Sequence, residues 1–298
     1  MSRLNELFPA GPTLSEGAQI GRGPSIDALD ARVRNGEKVK LLAPRRTGKS
    51  SVAGAVTDRL RAAGLPAADA DLAVLSGPGE VAEVLRAQLS PGLAALATAR
   101  RATGWLARQL EAGLGGEDKL IASVLAALGE AGGGSPAAVL QHAADAAVGQ
   151  AVGVLLDEAH HLATWPEPER QALRAFLRED ETVGVIVSSS ERSALDKLTG
   201  PGGPLQYVGQ RLPLPPISRE DWMHELPRRF AEAGVPITDD ALALLLDEAK
   251  LHPYCTMLLA REAARSGQAI GAVTNVIVQA ALLTAAEDEA WTLRDDVD

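Results

Sequence analysis

The sequence predicts an α/β protein built on a parallel sheet, followed by a smaller all-helical domain. Before residue 216, short apolar runs alternate with helix-like stretches, an order typical of parallel strands joined by helices. From residue 218 onward every segment has helical spacing instead. Hydrophobic residues make up 46% of the 298 residues, which is enough for a sizeable core, and aromatic residues only 3%. We therefore expect closely packed elements with small side chains between them.

The predicted elements follow in chain order. Residues 1–19 are rich in Pro, Gly and Ser and predict an irregular lead-in, whereas 20–36 contain a helix. The predicted strands are 38–43, 67–75, 151–162, 182–190 and a short one within 210–218. The predicted helices are 49–63, 137–149, 166–179, 218–233, 238–250, 253–266 and 270–290. Residues 79–131 also favour helix, with breaks predicted at Ser90-Pro91-Gly92 and at 113–116.

These elements predict three parts of the chain. After the lead-in of 1–19, an α/β core is expected over 20–215, including a largely helical block at about 79–149. Residues 216–298 are expected to form a helical lid domain.

Composition and charge restrict the expected partners, the disulfide content and the expected location of the protein. The net charge of −10 argues against broad nonspecific DNA binding. Cys255 is the only cysteine, so a disulfide within the chain is excluded. The sequence shows neither the apolar core of a signal peptide nor a membrane-length apolar run. A cytoplasmic protein without a membrane span is expected.

A candidate phosphate-binding loop follows the first strand. "KLLAPRRTGKSSVAGAV" (40–56) fits the pattern G-x-x-x-x-G-K-[ST] except at Ala43, where alanine costs little if φ stays negative. Gly48 lets the backbone approach the phosphates, Lys49 reaches the β and γ phosphates, and Ser50 ligates Mg²⁺. The residues expected to bind the nucleotide are Pro44, Arg45, Arg46, Thr47, Gly48, Lys49, Ser50 and Ser51. Arg45 and Arg46 add positive potential, although the stem of Arg46 could instead pack on the surface.

Two carboxylates end the strand in "AVGVLLDEAHHL" (151–162). Ligand sites in α/β proteins lie at the carboxyl ends of strands, which favours a functional role over a solvated acidic turn. Asp157 is expected to hold Mg²⁺ beside Ser50, and Glu158 to act as general base toward the attacking water. Roughly 110 residues containing another strand separate Lys49 from these acids. This is the pattern of P-loop ATPases with an added catalytic glutamate.

These motifs together resemble the archaeal-type ATPases, which are close to the STAND and Orc/Cdc6-like AAA+ proteins. The resemblance covers about 20–265 and rests on five stretches. They are "IGRGPSIDALDARVRNG", "LLAPRRTGKSS", "LLDEAHHL", "VIVSSS" and "LHPYCTMLLA". The sequence departs from the family at Ala43 and at Leu251, where glycine is common.

The resemblance implies further roles. Arg22 and Pro253 would lie by the adenine, and Ser188, on the sensor strand, would orient the γ-phosphate or water. Each has an ordinary alternative: Arg22 as a surface arginine, Pro253 as a common first-turn proline, and Ser189 as the sensor in place of Ser188. Ser190 suits a helix N-cap.

The sequence thus predicts a three-layer P-loop NTPase core of the ASCE/AAA+ type with a C-terminal helical lid. The sensor strand should separate the acid strand from the strand before the phosphate loop. The expected activity is slow, partner-regulated hydrolysis of ATP to ADP, with Mg²⁺ as cofactor, in a AAA+/STAND-like molecular switch. The alternatives are a DNA-associated helper ATPase in transposition, replication or phage defence, and a nucleotide-binding scaffold with little hydrolysis. A protein partner or self-association is expected, and nucleic acid is a further candidate partner.

Several charged residues carry weaker expectations. Arg192 and Arg211 are candidate arginine fingers toward a neighbouring subunit, or are simply solvated. A basic helix around Trp105, carrying Arg100, Arg101 and Arg108, could contact nucleic acid, acidic lipid or a partner. An amphipathic helix packed on the core is the favoured interpretation. His160 and His161 are adjacent, which is not the spacing of a metal pair on a helix.

Overall fold

The computed structural model describes residues 3–111, 134–190, 192–201, 203, 205, 206 and 208–296. Side chains are described for these residues except 100–111, 192, 194–196 and 296. The chain divides into two compact units. The helical unit comprises Met1–Ser25, Ala43–Val52 and Leu214–Asp298, and the sheet unit comprises Ile26–Leu42 and Ala53–Pro213. The domain boundaries inferred from the sequence stay a prediction.

Within the described residues, the sheet unit contains a five-stranded sheet in the order β2-β3-β4-β1-β5. The strands are β1 (Lys38–Leu42), β2 (Ala67–Asp71), β3 (Val152–Asp157), β4 (Val183–Ser188) and β5 (Gln210–Pro213). All four neighbouring pairs are parallel. Because β4 lies between β1 and β3, the predicted position of the sensor strand is confirmed.

Helices cover both faces of this sheet. In the described residues of both units, the helices are α1 (Arg3–Leu7), α2 (Gly23–Arg34), α3 (Lys49–Ala62), α4 (Pro78–Glu111), α5 (Pro136–Ala147), α6 (Glu167–Glu179), α7 (Arg192–Thr199), α8 (Arg219–Glu232), α9 (Asp239–Glu248), α10 (Pro253–Gly267) and α11 (Asn275–Ala285). Short 3₁₀ segments form at Glu16–Ala18, Ala159–Thr164 and Glu289–Asp296. In the part of the chain that the structure describes, no helix is both long and apolar enough to cross a membrane.

The three-layer arrangement follows from the alternation of side chains along the strands. Val154 of β3 and Val185 of β4 share one core with residues of α4, α5 and α6. On the opposite face the strands carry Gly153 and Gly184, which approach Leu60 of α3 and Val33 of α2. Both strands are buried along their whole length, as expected for a parallel sheet covered on both faces. The predicted three-layer α/β fold is confirmed.

The break predicted at Ser90-Pro91-Gly92 does not occur, because α4 continues through all three residues. The Ser90 hydroxyl donates to the carbonyl of Arg86 at 2.6 Å. A Cβ on Gly92 would lie 2.6 Å from the Cα of Pro66. Gly92 therefore serves the close approach of α4 to the segment before β2, and it does not end the helix. The second predicted break, at 113–116, lies outside the described residues.

The helical unit has its own core, to which both ends of the described chain contribute. Residues 3–7 form α1 within the segment predicted to be irregular, and Phe8 packs against Phe230 of α8 with ring centroids 4.8 Å apart. Trp291, from the 3₁₀ segment near the end, joins the same core. The helix predicted over 270–290 is shorter, because α11 ends at Ala285.

The reactivity of the single thiol tests whether the core of the helical unit is tightly packed. Cys255 lies on α10 with no exposed surface, and burial raises the pKa of its thiol to about 11. At pH 8 only about one such thiol in a thousand is a thiolate, which is the reactive form. We expect an aromatic disulfide reagent to leave the native chain unmodified over hours and to label one thiol at once in guanidinium chloride. Complete labelling of the native chain within minutes would contradict this packing.

Candidate functional site

The phosphate loop starts directly after β1, and its residues from Ala43 onward belong to the helical unit. Lys49, the first residue of α3, donates from Nζ to the carbonyls of Ala43 at 3.0 Å and Pro44 at 2.8 Å. The Thr47 hydroxyl donates to the same Pro44 carbonyl at 2.8 Å. Ala43 does not have a positive φ, so its side chain adds no backbone strain at the position where the motif has glycine. Gly48 does require glycine, because its φ is 93°.

Two buried side chains from distant parts of the chain bind two further loop carbonyls. Arg22 donates to the carbonyl of Thr47 at 2.7 Å and to that of Pro215. His252 Nε2 lies 3.1 Å from the carbonyl oxygen of Arg45. Because the C=O and N–H of a trans peptide point in opposite directions, these contacts direct the following N–H groups to the other side of the loop. Backbone N–H groups gathered in this way, at a helix N-terminus, are suited to binding an anion.

Arg22 is positively charged although its side chain is buried. Only 4% of its surface is exposed, and burial lowers the pKa of its guanidinium to about 10, partly opposed by the charge of Asp221. The side chain is therefore cationic at neutral pH and lies against backbone carbonyls. The burial of Arg22 excludes the alternative interpretation that it is a solvated surface arginine.

The first turn of α10 contacts the same loop. The Arg46 guanidinium lies 4.2 Å from the centroid of the Tyr254 ring, and the Tyr254 hydroxyl donates to Asp288 at 2.9 Å. Pro253 is the first residue of α10, directly after His252. Leu251, where the resemblance expects glycine, has a φ of 59°, in the left-handed region that glycine adopts without strain.

An open cleft of about 470 Å³ adjoins this contact. Its lining residues come from the phosphate loop, α10, the last 3₁₀ segment and the residue before that segment, and they are Arg45, Arg46, Tyr254, Asp288, Glu289, Ala290 and Leu293.

Two predicted nucleotide-binding residues make contacts inside the protein. The Ser51 hydroxyl accepts a hydrogen bond from the backbone N–H of Leu14 at 3.0 Å. The Pro44 carbonyl accepts from both Lys49 and Thr47. These contacts order the loop.

The carboxylates predicted at the end of the acid strand lie in the sheet unit. Asp157 is the last residue of β3 and Ser188 the last of β4. The Ser188 hydroxyl donates to Asp157 Oδ1, which also accepts the backbone N–H of Glu158 at 2.9 Å. The structure therefore places the predicted sensor serine and the predicted metal ligand in contact, and Ser188 is fully buried.

Glu158 adopts the left-handed conformation, with a φ of 49°. Its Oε2 accepts hydrogen bonds from the backbone N–H and the hydroxyl of Ser190, each at 2.9 Å. His160 Nδ1 lies 3.2 Å from the same oxygen and 3.0 Å from the hydroxyl of Ser189. A non-glycine residue in this conformation is uncommon and costs free energy, which makes it a candidate functional position.

The sequence pattern did not indicate all of these partners. Ser190 and His160 contact Glu158, although the sequence predicted Ser190 as a helix cap and indicated for His160 only a neighbour, His161, at a spacing unsuited to a metal pair. The contact of His252 with the loop spans 207 positions of the chain, and no local pattern signals it.

The roles suggested for the arginine-finger candidates and for the basic helix around Trp105 stay predictions. Arg211 lies in the edge strand β5 with an exposed side chain. The side chains of Arg192, Arg100, Arg101, Trp105 and Arg108 lie outside the described part of the structure.

The strand order, the loop after β1 and the acidic end of β3 define the fold of the P-loop ATPases of the AAA+ type. Solved structures that share this fold include the following three. A Walker-type ATPase of Pyrococcus abyssi matches with a TM-score of 0.66 at 18% identity, over 94% of this chain and 76% of that one. The Orc1 protein of Aeropyrum pernix, solved in complex with DNA, gives 0.53 at 17% identity over 95% and 70%. The Holliday junction branch migration motor RuvB of Thermotoga maritima gives 0.51 at 15% identity over 93% and 72%.

At these identities the comparison establishes the fold. The expected resemblance to Orc-type AAA+ ATPases is thereby confirmed at that level. The sequence matches no protein-family model and no curated protein.

Proposed function

We propose that this chain binds ATP with Mg²⁺ and hydrolyses it slowly, as a nucleotide-dependent switch. The observation that carries the proposal is the phosphate loop. Its carbonyls at Arg45 and Thr47 accept hydrogen bonds from the buried side chains of His252 and Arg22, which lie outside the loop. This arrangement turns the opposing N–H groups toward the side on which a phosphate chain would lie. Similarity to the fold of Walker-type ATPases supports ATP as the ligand.

We assign different roles in nucleotide binding to different residues of the loop. The backbone of Thr47 and Gly48 surrounds the phosphates, and Lys49 binds the β and γ phosphates after leaving the carbonyls of Ala43 and Pro44. Arg45 and Arg46 add positive potential. The residues proposed to bind the nucleotide are Arg22, Pro44, Arg45, Arg46, Thr47, Gly48, Lys49, Ser50, Ser51 and Pro253, with Arg22 and Pro253 toward the adenine.

The chemistry of two side chains suits Mg²⁺. The Ser50 hydroxyl and the Asp157 carboxylate are hard oxygen ligands, the kind that Mg²⁺ selects in phosphate sites. We propose that both hold the cation, which would neutralise charge on the phosphates when it is bound.

Glu158 is the proposed general base, and Ser188 orients the γ-phosphate or the attacking water. Because Glu158 Oε2 already accepts two hydrogen bonds from Ser190, this oxygen is occupied and does not face an attacking water until those bonds are released. This retention supports slow basal hydrolysis and a role for a partner. It equally favours the second candidate, a scaffold that binds ATP and hydrolyses little of it.

The proposal is tested first by nucleotide binding. Lys49→Ala is expected to weaken the affinity for a fluorescent ATP analogue by about 100-fold, because the variant loses the charged donor to the phosphates. Lys197→Ala removes an exposed lysine of α7 and should bind like the wild type. Equal affinities of wild type and Lys49→Ala would refute the proposed site.

A DNA-associated ATPase is a further candidate, supported by the fold shared with Orc1, whose structure contains DNA. Turnover measured with and without duplex DNA at low salt, at several protein concentrations, separates the possibilities. Stimulation by DNA would favour this candidate, and a rise in specific activity with protein concentration would favour self-association.

A further inference from the structure

The buried histidine before α10 joins the lid helix to the phosphate loop. His252 has no exposed surface and is the N-cap residue of α10, where its Nδ1 accepts a hydrogen bond from the backbone N–H of Cys255. Its Nε2 lies 3.1 Å from the carbonyl oxygen of Arg45. One imidazole ring therefore contacts the start of α10 and the middle of the loop.

The two partners determine the tautomer of this ring. A backbone N–H can only donate, so Nδ1 carries the lone pair that accepts from Cys255. A carbonyl oxygen can only accept, so Nε2 carries the hydrogen that binds Arg45. The neutral Nε2–H form satisfies both partners at once, and a side chain lacking either nitrogen satisfies only one.

The contact acts on the part of the loop that would face phosphate. Because the Arg45 carbonyl is held by His252, the N–H of Arg46 is directed to the opposite side of the same peptide. Arg46 itself has a φ of 55°, a left-handed conformation that is strained for a non-glycine residue. Its guanidinium lies over Tyr254, two residues after His252. The first turn of α10 thus holds both the backbone and the side chain of this segment.

We infer that His252 is a positioning residue for the phosphate loop, which it keeps in the anion-binding conformation through the Arg45 carbonyl. The inference rests on the proposed function of the loop. It also assigns α10 a part in nucleotide binding beyond contact with the base, because any movement of the helix start would pull on the loop.

Two substitutions separate this role from helix capping. Asparagine is among the best N-cap residues, so His252→Asn keeps an acceptor near Nδ1 but does not reach Arg45. Glutamine places an amide N–H near the position of Nε2. We expect His252→Asn to keep the helix cap but to bind the Mg²⁺-ATP analogue five- to tenfold more weakly, about the equivalent of one hydrogen bond. His252→Gln is expected to recover most of that affinity, even where its melting temperature is lower.

The outcomes distinguish the inference from the proposed function. Wild-type affinity in His252→Asn would overturn the inference alone, as would losses in both variants that simply follow their melting temperatures. Absence of ATP binding by the wild type would overturn the proposed function and, with it, the positioning role. Binding by the wild type that Lys49→Ala weakens by about 100-fold leaves the proposed function standing, and the two histidine variants then decide the inference.

Discussion

Glu158→Gln is expected to lower ATP turnover by about 10²- to 10⁴-fold while leaving ATP affinity near that of the wild type. The amide is isosteric with the carboxylate, and its oxygen can still accept the hydrogen bonds that Ser190 donates. It cannot take a proton from the attacking water, so only the chemical step is lost. The measurement is steady-state phosphate release at saturating Mg²⁺-ATP, together with equilibrium binding of the analogue.

Two controls make this result interpretable. Glu179→Gln changes an exposed glutamate at the end of α6 and should release phosphate at the wild-type rate. Lys49→Ala measures any contaminating ATPase, because it lacks the cation that the β and γ phosphates require for binding and reaction. Turnover that survives in Glu158→Gln would show that another group activates the water. A parallel loss of ATP affinity would show that Glu158 supports the structure of the site and is not its base.

Local sequence patterns predicted those parts of the molecule whose causes are local. The apolar runs that became β3 and β4 are buried along their whole length, so their composition alone marks them as central strands. Lys49, Asp157 and Glu158 were predicted as site residues because motif chemistry requires a cation after the loop and acids at a strand end. The strand order followed from the resemblance that those motifs carried.

The remaining features depend on residues that are far apart in the chain. The phosphate loop takes contacts from Arg22 and His252, which lie 25 and 207 positions from their partners. Gly92 looks like a helix breaker in the sequence, yet it permits the approach of α4 to Pro66. Helix α1 is too short to be stable alone and packs against α10. None of these contacts leaves a periodic or spaced signature, which explains why sequence reasoning did not find them.

Gly184→Ala is expected to destabilise the sheet unit by about 3 kcal/mol or more, since overpacking of this kind commonly costs 1–3 kcal/mol and this contact is unusually short. A Cβ at this position would lie 2.1 Å from the carbonyl oxygen of Val33 and 2.6 Å from its Cα. Both are backbone atoms of α2, so no rotation of a side chain relieves the clash. Strand β4 cannot move away from α2 either, because it is hydrogen-bonded to β3 on one side and to β1 on the other.

The measurement is the free energy of unfolding in urea, with Gly54→Ala as the matched control. Gly54 lies inside α3, and a Cβ there meets nothing within 4 Å, so the same added methyl should stabilise the chain by about 0.5–1 kcal/mol. The two alanines therefore shift stability in opposite directions if the glycine of β4 is required for the approach of α2. A Gly184→Ala variant as stable as the wild type would mean that α2 does not pack against the centre of the sheet. Gly184 would then not be required to make room for α2.

Because Ser188 ends the same strand and contacts Asp157, a shift of β4 is also expected to reduce ATP turnover in any Gly184→Ala protein that still folds.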